Sequence, residues 1–131
     1  MNYIIASITE IKSVENISIV KFLVDSYQLS MMSLELDDSI EVGKMVKLGA
    51  KGTNISLSKG YEGELSVSNQ LPSRVNELVL GELLCRVKLD FVDFEIESII
   101  TKDSALRMNL QKGDQVYTLI KSSELSIIEV L

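Results

Sequence analysis

The sequence predicts an all-β fold made of two similar small barrels in tandem. Three observations predict it. The apolar residues are largely Ile, Val and Leu, with no Trp and a single Pro, a composition that favours strands. Apolar and polar residues alternate in short runs separated by turn-forming residues. One lysine-bearing stretch also occurs twice: GKMVKLGAKGTNISL over residues 43–57 and GDQVYTLIKSSELSI over residues 113–127. Aligned without gaps, Gly43 meets Gly113, Val46 meets Val116, Lys51 meets Lys121, Thr53 meets Ser123 and Ser56 meets Ser126.

Each element follows from its local pattern. Residues 3–11 read as a strand with Ile4, Ala6 and Ile8 on one face, and 13–16 as a turn. Residues 17–24 are almost continuously apolar, which predicts a strand buried on both faces. A turn at Asp25 and Ser26 leads to a short strand over 28–32. Ser33 offers an N-cap and Glu35 a first-turn acid, predicting a short helix or helical turn there. Strands over 44–50 and 54–58 flank Lys51, Gly52 and Thr53. Residues 59–68, KGYEGELSVS, break the composition and supply the connector.

The second half repeats the order. Strands are predicted over 73–79, 83–91 and 94–100. In the second of these, Leu83, Cys85, Val87, Leu89 and Phe91 face one way. Thr101 is placed to cap a helix over 102–108. Lys112 and Gly113 turn the chain into strands over 115–121 and 124–129. The repeat also shows at the front of each half, where Asn2 meets Asn69, Ile4 meets Leu71 and Lys21 meets Lys88 at an offset of 67. Near the lysines the offset is 70, so length changed around the helical turn, where loops tolerate it. Five strands and a short helix per half predict OB-like barrels, with units over 1–60 and 69–131 and a connector over 61–68.

Length and charge narrow the function. The chain has 131 residues, and halves of about 65 are marginal alone, so they share a core or assemble into oligomers. A net charge of −6 argues against a general nucleic-acid binder, yet local donors can still hold one small anion. The absence of His removes His-ligated metal sites and Ser-His-Asp catalysis. The carboxylates are scattered, so no catalytic constellation and no set of metal-ion ligands emerges. Cys85 is the only cysteine and reads as a core thiol. No apolar run approaches the roughly 18 residues of a membrane span, so a soluble, cytoplasmic protein is expected.

The candidate binding residues are those of the repeat. A lysine beside small hydroxyls at a strand end can hold an oxyanion, the ammonium giving charge and the hydroxyls and backbone N–H groups giving directed donors. That singles out Lys121, Ser122 and Ser123, with Lys51, Gly52 and Thr53 as their counterparts. An isolated lysine of this kind is ordinarily solvated surface; its duplication points to function. Thr101 and Ser104 either cap a helix or present its N-terminus to an anion. Ser33 stands as the counterpart of Thr101. Ser66, Ser68 and Asn69 are connector polarity or further donors. Each charge-assisted hydrogen bond contributes roughly 1.5–3 kcal/mol, whereas micromolar affinity needs about 8 kcal/mol. Donors must therefore converge from several segments, and from more than one subunit.

The run NQLPSRVNEL, followed by IITKDSALRMNLQKGDQVYTLIKSSELSI, resembles the molbindin or Mop-type TOBE domain. Asn69-Gln70-Leu71, Ile100-Thr101, Leu110 with Gly113-Asp114 and Val116, and Ile120-Lys121-Ser122-Ser123 follow that family's order and spacing. The likeness covers nearly all of the second half, and the first half joins it through the internal repeat. It implies paired OB-like barrels that bind molybdate or tungstate between subunits, with no organic cofactor, in a homo-oligomer expected to be a trimer. It further implies a non-enzymatic role in oxyanion storage, homeostasis or sensing, without a nucleic-acid or membrane partner. Ser68 stands where the family carries an arginine, and the first half lacks the family's opening. Unequal sites are therefore expected, and a protein-interaction module that has lost its ligand is the alternative.

Overall fold

The computed structural model describes residues 1–131. Ten strands form two five-stranded antiparallel sheets. The first half supplies β1 (Asn2–Val14), β2 (Ile17–Val24), β3 (Tyr27–Leu34), β4 (Met45–Ala50) and β5 (Ser56–Ser58). The second supplies β6 (Asn69–Leu80), β7 (Leu84–Phe91), β8 (Phe94–Thr101), β9 (Gln115–Ile120) and β10 (Ser126–Val130), with one helix, α1 (Lys102–Arg107), between β8 and β9.

The fifth strands are exchanged. One sheet runs β10-β4-β1-β2-β3 and the other β5-β9-β6-β7-β8. Ser126 and Ile127 pair with Gly49 and Leu48, while Ser56, Leu57 and Ser58 pair with Leu119, Thr118 and Tyr117. Residues 1–60 and 69–131 therefore each contribute four strands to one barrel and a fifth to the other. Gly49 makes room for its visitor, since a Cβ there would lie 2.6 Å from Ile128 Cγ1.

The repeat extends to irregular features. Both long first strands carry a register shift, between Ile8 and Glu10 and between Val75 and Glu77. Gly43 and Gly113 share a φ of +93°, a left-handed value that glycine adopts without strain. Each donates its N–H to the bulged strand, to Ile8 and Val75, at 2.8 Å.

One continuous core of 24 buried residues spans both halves, with Phe22, Leu29, Val87, Leu89 and Phe91 fully enclosed. Strand alternation explains it. In β1, Ile4, Ala6 and Ile8 point inward; in β7, Cys85, Val87 and Leu89 do. Burial pushes the Cys85 thiol up from its ordinary pKa. Two expectations fail here. β2 is buried on one face only: Val20, Phe22 and Val24 are interior, while Ile17 and Leu23 are 46% and 42% exposed. A barrel wall has a single inner face, and this run places aliphatics on the outer one as well. Leu83, expected to face inward, is 80% exposed because β7 begins one residue later.

The helical turn expected at Ser33 is also absent. Ser33 lies inside β3, which continues to Leu34, and turns return the chain to β4. Glu35 adopts a φ of +50°, which no right-handed helix contains. The chain thus leaves the strand in a turn where an N-cap would start a helix.

Two asparagine amides, one buried and one half-buried, hold the barrels together. Asn69 is fully buried and bonds across to β3, where its Oδ1 accepts from Ser30 N–H at 2.7 Å. Its Nδ2 donates to the Ser30 and Ile120 carbonyls, both at 2.9 Å. Asn2 does the same to β8: Glu97 N–H donates to Oδ1 at 2.8 Å, and Nδ2 donates to the Glu97 and Ala50 carbonyls. Lys59, just past β5, ties the connector to the end of α1. It donates to the Met108 and Asn109 carbonyls and pairs with Asp114 at 2.9 Å. The Lys59 hydrogen bond, then the Gln111 N–H, hold the Asp114 carboxyl below its usual range. That contribution is present above the ordinary carboxylate pKa and is lost as pH falls through the depressed value.

Replacing Asn69 with Ala orphans three buried backbone groups and is expected to cost about 3 kcal/mol. Denaturant unfolding monitored by circular dichroism checks this, and a loss below about 0.5 kcal/mol, the size of an ordinary surface change, would deny the clasp its part.

Candidate functional site

The two lysines sit where each half hands its last strand across. After β4 the chain is extended at Lys51, then makes a single 3-10 turn over Gly52–Asn54 before β5. After β9 it is extended at Lys121, then turns over Ser122–Glu124 before β10. In both turns the lysine carbonyl accepts the N–H three residues on, from Asn54 and from Glu124, at 2.9 Å. Ile55 and Leu125 then plug the core. Lys51 and Lys121 are both exposed, and Gly52 and Ser122 both half-buried.

Each turn lies against the third strand of the opposite barrel. The Gly52–Asn54 turn packs on β8, and the Ser122–Glu124 turn packs on β3. The turns also touch each other, Asn54 Nδ2 donating to Glu124 Oε2 at 2.8 Å. These two residues are related by the same offset of 70 that relates the lysines, so the corners lie together near the axis relating the halves.

At the Lys121 corner, hydroxyl residues neighbour the lysine along the chain and across the sheet. Asn69 pairs with Ile120, and one register step further places Ser68 opposite Lys121. Ser122 and Ser123 follow in the turn, where the first N–H groups have no partner inside the turn itself. Ser123 also lines a cleft of about 420 Å³ with Ser33, Leu34, Glu35, Asp37, Leu125 and Ser126 among others. Ser68 is thus one step beyond the Asn69–Ile120 pair that precedes Lys121, and Ser33 and Ser123 line the same cleft. Ser66 is exposed in the connector two residues before Ser68. The Asn69 amide is spent on backbone partners, so it positions the corner rather than offering donors to a ligand.

At the Lys51 corner, Asn2 pairs with Ala50, and the same register step places Met1 opposite Lys51. Gly52 and Thr53 follow. The adjoining cleft, about 280 Å³, is lined by Met1, Asn2, Gly52, Glu95, Glu97 and Ile99 among others.

Thr101 and Ser104 do not join Lys121. They lie at the end of β8, the strand that receives the Lys51 corner. Thr101 caps α1, its Oγ1 accepting from Ser104 N–H at 3.1 Å and donating to Ser104 Oγ at 2.9 Å. Arg107 donates to the same Ser104 Oγ at 3.1 Å, and Ser104 borders a cleft with Ser56, Ser58, Lys59 and Arg107. The counterpart of Thr101 is Leu34 rather than Ser33, because β3 and β8 align at the offset of 67 over their full length. Sequence reasoning missed Asn2, Glu95, Glu97 and Glu124 as corner residues. The Asn2–Asn69 match was the available signal, and the strand exchange that brings β8 to Lys51 was not visible.

Comparison with known proteins agrees with this architecture. The TOBE domain family matches residues 65–127. The cytoplasmic molybdate-binding protein ModG, solved with molybdate bound, matches with a TM-score of 0.86 and 23% identity, over 95% of this chain and 93% of its own. A molybdate-binding protein from Sporomusa ovata matches with 30% identity and a TM-score of 0.50, over 51% of this chain and all of its own. A search among curated proteins finds no match. The likeness to ModG establishes the paired OB-like fold, and no helix of the chain is long and apolar enough to cross a membrane.

Thr101→Ala removes the cap of α1 and is expected to lower stability by about 1 kcal/mol. Denaturant titration reads this directly; an unchanged midpoint would mean that α1 is held by its packing alone.

Proposed function

The chain belongs to the TOBE domain family, and from that premise we propose that it is a cytoplasmic oxyanion-binding protein for molybdate or tungstate, acting in storage, homeostasis or sensing and not in catalysis. The observation that carries the reading is the Lys121 corner, an exposed lysine at a strand crossover with Ser122 and Ser123 next in the turn and Ser68 one step beyond the Asn69–Ile120 pair. A tetrahedral dianion needs such an array: one cation for charge and several short donors from different directions. That two proteins of like fold are molybdate-binding proteins supports the choice of ligand.

One corner is not enough by itself. At the lower end of the range per bond, about 1.5 kcal/mol, a lysine and two or three hydroxyls supply about 4.5–6 kcal/mol, short of the roughly 8 kcal/mol of micromolar binding. The reading therefore includes a homo-oligomer, a trimer, in which neighbouring subunits complete the donor set. The units over residues 1–60 and 69–131, joined by 61–68, act in it as one body. Thr101 and Ser104, engaged with each other within the chain, are proposed to turn their remaining capacity to the ligand across such an interface.

The alternative, a protein-interaction module that has lost its ligand, is favoured by Ser68 standing at the family's arginine position. The two readings separate in a melting experiment. Molybdate at a hundredfold excess over its Kd stabilises the native state by about 2.7 kcal/mol, a rise of several degrees in Tm. The rise is expected for the wild-type chain and is expected to shrink to about a third or less in Lys121→Met. A Tm unmoved by millimolar molybdate or tungstate would leave the interaction module as the reading.

A further inference from the structure

The lysine corner occurs twice in the fold but only once in its chemistry. We infer that the chain holds its oxyanion at the Lys121 corner alone and that the Lys51 corner is closed to dianions. This rests on the oxyanion reading above and adds which half carries it, in what ratio, and what shuts the other half.

The Asn2 and Asn69 clasps give the correspondence position by position. Ser30 meets Asn69 as Glu97 meets Asn2, and Ile120 meets Asn69 as Ala50 meets Asn2. Three differences follow. Met1 stands where Ser68 stands, so the hydroxyl is lost, and the thioether that replaces it lies over Gly49. Gly52 stands where Ser122 stands, removing a second hydroxyl. Glu97 and Glu95 stand where Ser30 and Gln28 stand, so two neutral donors of the neighbouring strand become acceptors bearing full charge.

Glu35 and Asp37 border the Ser123 cleft but lie past the end of β3, whereas Glu95 and Glu97 lie on β8 itself, in the cleft with Met1, Asn2 and Gly52. Neither Glu95 nor Glu97 takes part in an ion pair, and Lys51 forms none either. Glu124 is the one carboxylate on the Lys121 turn itself, and it is turned away to accept from Asn54. The Lys51 turn is also seated lower. A Cβ on Gly52 would lie 2.9 Å from the Glu97 carbonyl oxygen and 3.3 Å from Ile99 Cγ1, so a serine cannot be restored there without moving the backbone of β8 or the turn. Under water-like screening each carboxylate facing a dianion lowers affinity on the order of tenfold. Each lost hydrogen bond to a charged ligand does about the same. The two lost hydroxyls therefore separate the corners by on the order of a hundredfold, and Glu95 and Glu97 on β8 widen the gap.

Calorimetric titration of the full-length chain with sodium molybdate tests this. The expected ratio is about one molybdate per chain, with Lys51→Met within about twofold of wild type and Lys121→Met weakened by at least about 30-fold. Both lysines are exposed, and circular dichroism with gel filtration verifies that each variant is folded and assembled. In Glu95→Gln/Glu97→Ser the ratio is expected to rise above one, and an unchanged ratio overturns the electrostatic part of the inference. A wild-type ratio of two, or equal losses in the two lysine variants, overturns the inference while leaving oxyanion binding intact. No uptake by the wild-type chain overturns the function itself.

Discussion

The exchange of fifth strands is the constraint on which the rest of the structure depends. A four-stranded half of this size leaves an open edge and an incomplete core, and each half here closes the other. The chain must therefore cross from one barrel to the other twice, by the same short path. A 3-10 turn makes the crossing in three residues, leaves its first N–H groups without partners inside the turn, and puts one exposed residue at the point of departure. That residue is lysine in both halves. The lysine corner is thus a by-product of how the barrels close, and the Asn2 and Asn69 amides hold each crossing against the strand it must pass.

Much of this was legible in the residues. The duplicated GK and GD turns, the aligned lysines and the offset of 67 at the front all reappear as shared φ values, shared bulges and paired clasps. Period-two alternation located nine of the strands to within a few residues, and Thr101 announced the start of α1. What sequence could not supply was which strand pairs with which. Antiparallel pairing is encoded in side-chain fit over long separations, so β5 and β10 read as the natural fifth strands of their own halves. That single unseen fact separated Thr101 and Ser104 from Lys121 and brought Glu95 and Glu97 to Lys51.

Other departures have local causes. The apolar run of β2 exceeded what one inner face can bury, because this surface carries aliphatics outside as well as in. Ser33 had the chemistry of a helix cap but lies within a strand that runs on to Leu34, and the chain leaves through a left-handed residue at Glu35. The second half keeps its helix there, which is where the two offsets diverge. Repeats that began alike have drifted in the parts that do not set the fold: the clasps and turn glycines are kept in both halves, while the residues facing the clefts are not.

The strand crossover at Lys121 is the place proposed to hold the oxyanion. Anomalous diffraction from crystals grown with tungstate, recorded at the tungsten L edge, locates the heavy atom without reference to affinity. A peak is expected in contact with Lys121, Ser122 and Ser123 and none beside Gly52 and Glu97. Peaks of equal height at both corners, or tungsten bound away from both lysines, would contradict the proposal.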